Sequence, residues 1–143
     1  MSNPNRFTDN QDSTVTDTQT TLIWIREDGW QQEGSWFTWD EAMDWAIDMA
    51  CKNFGGLQDW RLPIEEEIQT LYNPEVINQD KYGKDIHLET VFPPGSQATV
   101  WLRSESGHEG TIFDFKNGEF RSLYKSKTGR MSVRLVQGNM PRS

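Results

Sequence analysis

Thr38 and Glu41 stand at the spacing of a capping box, in which the Thr hydroxyl accepts from the third helical N–H and the Glu carboxylate reaches back to the cap. Ala42, Trp45, Ala46 and Met49 follow at i, i+3, i+4 and i+7 and so share one helix face, with Asp40, Glu41, Asp44 and Asp48 off it. Gly55-Gly56 ends the helix by supplying a left-handed cap at no steric cost. An amphipathic helix of this kind has to lie on another layer, and the remaining sequence supplies mostly short β segments.

Arg6 to Thr18 reads as two short β segments around the polar turn Asn10-Gln11-Asp12-Ser13. Thr21 to Ile25 is a strand rich in Ile and Trp. Residues 27–37 carry Gly29 and Gly34 without a period and read as a loop. A second helix is expected from Ile64 to Tyr72, with Pro63 near its start, Glu65, Glu66 and Glu67 in the first turn, and Ile64, Ile68 and Leu71 as its stripe. Residues 74–97 form a long irregular loop holding Pro74, Gly83, Pro93, Pro94 and Gly95, and such loops in small domains tend to carry function. Strands follow at Thr99–Leu102, Thr111–Phe115, Glu119–Tyr124 and Met131–Val136, with loops at 104–110 and 126–130. Asn117-Gly118 signals a type I′ hairpin. The order of elements gives an α+β class, two helices packed on a twisted antiparallel sheet with the termini close together. Residues 1–5 read as a loose start, 6–138 as one domain and 139–143 as a tail.

Only 34% of the 143 residues are apolar, but 12% are aromatic and seven are Trp, so a few large side chains must carry the core. The net charge of −8 argues against nucleic acid and anionic membranes as partners. With a single cysteine, Cys51, no intrachain disulfide can form. The start lacks the pattern of a signal peptide and no run of about 18 apolar residues occurs, so the expected compartment is the cytoplasm, with no membrane insertion.

Several blocks together resemble the Lcl C-terminal domain, a bacterial family of largely unknown function. They are Arg6-Phe-Thr-Asp-Asn with Thr14-Val-Thr-Asp, Leu22-Ile-Trp, Thr38-Trp-Asp-Glu-Ala, Gly55-Gly56 with Asp59-Trp-Arg-Leu-Pro, and Ser132-Val-Arg-Leu-Val-Gln-Gly. The resemblance implies a C-type-lectin-like fold, shared distantly with formylglycine-generating enzymes and with the variable binding proteins of diversity-generating retroelements. The chain departs from the family where Asp12-Ser13 replaces the usual Asp-Gly, and where Ile64 replaces a capping Thr or Ser. Many members are exported.

The candidate chemistry is sparse. Asp9, Asp12 and Asp17 form an acidic cluster, but calcium needs six to eight oxygens on a loop that usually bends at Gly, so a solvated turn is the preferred reading. Cys51 reads as a small buried residue, and it cannot form the copper-holding Cys pair of a formylglycine-generating enzyme. His87 and His108 lie far apart in loops and read as solvent-exposed. Glu65, Glu66 and Glu67 point about 100° apart in succession and do not converge on one substrate. Asp59 and Arg61 read as a structural ion pair flanking Trp60.

Trp24, Trp45, Trp60 and Trp101 fall in regular elements and are expected in the core, while Trp39 fits either side. Trp30 and Trp36 sit in the Gly-flanked loop, where they either fold back over the sheet or stand out as recognition anchors. The expected function is a non-catalytic binding or assembly module without metal or cofactor, whose contact surface comprises Trp30, Trp36, Tyr82 and Phe92. A protein partner is favoured, with a glycan as the alternative. The rival functions are an oxidase of the formylglycine-generating kind and a retroelement-diversified receptor.

Overall fold

A computed structural model describes residues 5–104, 107–127 and 129–140. Residues 1–4 of the expected loose start at 1–5, residues 141–143 of the expected tail at 139–143, and parts of the 104–110 and 126–130 loops lie outside the described residues. Among the described residues the protein is α+β with three antiparallel sheets. Strands β1 (Phe7–Asp9), β2 (Thr14–Asp17), β3 (Ile23–Ile25) and β9 (Val136–Gln137) form the first, in that order. The pair β4 (Asn78–Gln79) and β5 (Asp85–Ile86) forms the second. The third runs β6 (Thr99–Trp101), β7 (Glu109–Asp114), β8 (Glu119–Tyr124). Helices α1 (Gly29–Glu33), α2 (Trp39–Cys51) and α3 (Glu65–Gln69) complete the set, with a 3-10 turn at Phe54–Gly56.

The capping box on α2 is present: Glu41 N–H donates to Thr38 Oγ1 at 3.1 Å and Thr38 N–H donates to Glu41 Oε1 at 2.8 Å. Ala42, Trp45, Ala46 and Met49 are the buried residues of this helix. They join Trp60, Leu62, Trp101 and Val133 in one half of the core. The other half gathers Trp24, Leu71, Ile86, Leu88, Phe92, Phe113 and Phe115. Trp24, Trp45, Trp60 and Trp101 are all buried, as expected. Three of these indoles donate to specific acceptors: Trp45 Nε1 to Glu33 at 3.0 Å, Trp60 Nε1 to Phe54 O at 2.9 Å and Trp101 Nε1 to Phe37 O at 2.8 Å.

Residues 131–137 join the two larger sheets. Strand β9 pairs with β3 at Trp24↔Val136 and Ile23↔Gln137, which brings the two ends of the domain together. The carbonyls of Leu135, Val133 and Met131 accept in turn from Ile25, Gly29 and Phe37. Ser132 faces the other way, donating to Thr99 O and accepting from Trp101, both at 3.0 Å. The expected strand Met131–Val136 is therefore mostly a shared seam, and only Val136–Gln137 pairs as a regular strand.

Several expectations are corrected. Residues 27–37 are not all loop: Asp28 and Gln31 form a capping box and start the short α1. The second helix is α3, shorter than Ile64–Tyr72, and Ile64 has no capping side chain. Glu67 supplies only the reciprocal half of a capping box, accepting from Ile64 N–H at 3.0 Å. Glu67 is not solvated, because it also takes a bidentate bond from Arg61, at 2.8 and 2.7 Å, and is buried. Asp59 is exposed, so the expected Asp59–Arg61 pair gives way to Arg61–Glu67. Cys51 is exposed rather than buried, since it lies two positions, about 200°, around the helix from Met49. In the β7–β8 hairpin, Asp114 opposes Glu119 across a four-residue loop, and only Gly118 is left-handed, at φ 74°, so the turn is not type I′.

Two ion pairs fix the ends of these elements. Arg6 binds the fully buried Asp17 at 3.0 and 2.7 Å and donates to Thr70 O at 2.8 Å, tying β2 to the end of α3. Burial works against the Asp17 carboxylate, but the Arg6 guanidinium and hydrogen bonds from Thr20 and Gln19 outweigh it and hold the pKa below the ordinary value. That contribution to stability is present above the ordinary carboxylate pKa and is lost as pH falls through the lowered value. Arg6→Met is expected to destabilise the protein by about 3 kcal/mol at neutral pH. Because Asp17 in the variant takes up a proton more readily, the gap to wild type is expected to narrow below a pH of about 4, as measured by urea unfolding across pH. At the second pair, Glu67→Ala removes both the Arg61 partner and the acceptor for Ile64 N–H and is expected to lower stability by about 3 kcal/mol, whereas Glu65→Ala, at an exposed position, is expected to stay within about 0.5 kcal/mol in thermal unfolding.

Candidate functional site

Two buried aspartates shape the 80–84 turn and α1, which both bond to the 94–97 segment. Asp80 Oδ1 accepts from the N–H groups of Tyr82 and Lys84 at 2.8 and 2.9 Å, which shapes the turn between β4 and β5. Asp28 caps α1 by accepting from Gln31 N–H through Oδ1 and accepts from Gln97 N–H through Oδ2, both at 2.9 Å. Burial pushes the Asp28 pKa up, opposed by the charge of Arg134 and by the hydrogen bonds it receives. Gln31 Nε2 donates to Pro94 O at 3.1 Å, Gly95 N–H to Gln79 O at 2.9 Å and Lys81 N–H to Ser96 O at 2.9 Å. These bonds lash α1, the β4–β5 turn and the 94–97 segment into one surface.

On that surface Trp30 and Trp36 stack, their ring centroids 4.2 Å apart and their planes 18° apart. The Lys81 ammonium lies 3.7 Å from the Trp30 ring centroid, and 5.1 Å from each of Trp36 and Tyr82. Arg130 approaches Tyr82 at 5.3 Å. Tyr82 is 46% exposed, and both tryptophans are half-buried. The structure thus brings together Trp30, Trp36 and Tyr82 from segments about fifty residues apart.

Phe92 does not belong with them. It is fully buried, edge-on to Phe7 at 6.0 Å and beneath the Arg134 guanidinium at 4.6 Å. Its place in an irregular segment concealed a core role, because packing rather than periodicity fills the space under a loop. Lys81 was not singled out by sequence; its only local sign is a cation beside Tyr82 in a Gly-containing turn.

The remaining candidates disperse. Asp17 turns inward to Arg6, while Asp9 and Asp12 accept from backbone and hydroxyl groups of their own turn. Among the described residues no group of three or more His, Cys, Asp or Glu side chains is placed to hold a metal ion. His87 is half-buried rather than exposed: its Nδ1 lies 2.9 Å from Val76 O and its ring meets Tyr72 edge-on. His108 is exposed and borders a cleft of about 500 Å³ beside Trp39, Tyr124 and Lys125. Trp39 is half-buried there, its Nε1 donating to Leu102 O at 3.0 Å. No helix among the described residues is long and apolar enough to cross a membrane.

A search of curated proteins returned no match to the chain. The sequence profile of the Lcl C-terminal domain does match, over residues 13–137. That span runs from the β1–β2 turn through β9, and includes the seam, both tryptophans of the stacked pair and the Lys81 turn. The chain belongs to the Lcl C-terminal domain family.

Proposed function

We propose that the protein is a non-catalytic binding module that recognises a protein partner through the Trp30–Trp36–Tyr82 surface, on a scaffold of C-type-lectin-like character. The observation that carries the reading is the convergence of three aromatic side chains outside the core, with the Trp30 and Tyr82 segments fixed by hydrogen bonds to the buried carboxylates of Asp28 and Asp80. Large aromatics on a rigid frame lose little conformational entropy on binding, which is why they dominate interface energetics. Pairing of β3 with β9 supports the lectin-like reading of the scaffold. The net charge of −8 favours a protein over a phosphate-bearing polymer.

Trp30→Ala, Trp36→Ala and Tyr82→Ala are expected to leave a cooperative thermal transition while weakening capture of the partner from native lysate. A central Trp is expected to cost about 2 kcal/mol of affinity, some thirtyfold. The comparison is Trp24→Ala, in the core, which is expected to abolish the fold. Partner capture unchanged in all three surface variants would overturn the reading.

A further inference from the structure

Lys81 is itself a ligand of the aromatic cluster. Its ammonium lies within 5.1 Å of three ring centroids, two of them from a segment about fifty residues earlier in the chain. The face of an aromatic ring carries negative charge density, and rings grouped around one point form a seat for an ammonium cation. We infer that this seat receives a lysine side chain of the partner protein in exchange for Lys81, which holds the place when the partner is absent. The inference rests on the binding-module reading above and assigns its chemistry.

Three observations support the exchange. The seat demonstrably fits a lysine, since one is in it. Lys81 is attached to a surface turn held by Asp80 through backbone N–H groups only, so its side chain can leave for water without disturbing the hydrogen bonds that fix the turn. The charge nearby is mixed: Arg130 approaches Tyr82 at 5.3 Å, while Glu33 and Ser35, on the segment that carries the tryptophan pair, begin a shallow groove of about 350 Å³ that Glu41, Asp44 and Asp48 continue along α2. The overall charge of −8 would draw a basic segment toward the molecule.

The test is a titration of the full chain, followed by NMR at the indole N–H groups, with a short blocked peptide carrying one lysine and with its norleucine counterpart, which lacks the ammonium. The lysine peptide is expected to move the Trp30 and Trp36 resonances, and the norleucine peptide is not. Removing the internal competitor in Lys81→Ala is expected to tighten binding of the lysine peptide about two- to fivefold. Lys84→Ala, which makes the same charge change outside the cluster, is expected to leave it within error, and Tyr82→Ala is expected to weaken it. Equal response to both peptides, no response at either indole, or Lys81→Ala binding no tighter than Lys84→Ala would overturn the lysine assignment. If partner capture still depended on Trp30 and Trp36 in that event, the binding-module reading would stand while its chemistry fell. Capture independent of both tryptophans would remove the module reading itself.

Discussion

A buried guanidinium holds the domain together. Arg134 is enclosed at the middle of the 131–137 seam, donates from Nη1 to the carbonyls of Ile25 and Arg26 at 3.0 and 2.7 Å, and lies over the Phe92 ring. Burial pulls its pKa down to about 10, with Asp28 and Glu27 opposing the loss, so it stays charged at neutral pH. The cost of enclosing that charge is offset by carbonyl dipoles, the aromatic face and the field of Asp28. Each offsetting group does a second job. Ile25 belongs to β3, Arg26 opens the segment that leads into α1, and Asp28 caps α1 and binds Gln97. The aromatic surface is thus oriented by the same group that closes the core.

The acidic character of the molecule takes on meaning in this light. Its two most buried aspartates outside the Arg6 pair, Asp28 and Asp80, both accept from backbone N–H groups, Asp28 through both carboxylate oxygens and Asp80 through Oδ1. Carboxylates are strong acceptors for such N–H groups, and used this way they fix irregular chain where neither helix nor sheet could. Short elements and long connections would ordinarily give a pliant surface. Here the connections are pinned from beneath by these carboxylates.

Much of the fold was legible because it rests on local rules. Helix α2 follows from the Thr38–Glu41 box and the Ala42–Met49 stripe, and the β1–β2 and β7–β8 hairpins from short strands around polar turns. What was missed rests on contacts distant in sequence or on patterns hidden by shortness. Asp28 and Gln31 have capping-box spacing, yet the five-residue helix behind them carries no apolar stripe to draw the eye. Glu67 was read from the helix dipole, when its burial is decided by Arg61 and by the orphan N–H of Ile64. The candidate site divides in the same way. Trp30, Trp36 and Tyr82 stood out as large aromatics in Gly-containing segments, whereas Phe92 shared that description and went inside because Phe7 and Arg134 wait there. That Lys81 would sit among the rings is a property of the folded surface alone.

The seam also sets the order in which this chain can fold. Arg134 reaches carbonyls 109 and 108 residues earlier in the chain, and the strand that completes the first sheet pairs across a similar span. Closing so long a loop costs entropy before any contact repays it. Helix α2 and the β7–β8 hairpin can form from neighbours, but β3 and α1 keep unpaired backbone until residues 131–137 arrive. Without residues 131–137 the edge of β3 that carries Trp24 lacks its partner strand. Contacts so distant in sequence are of the kind that slows the folding of small domains.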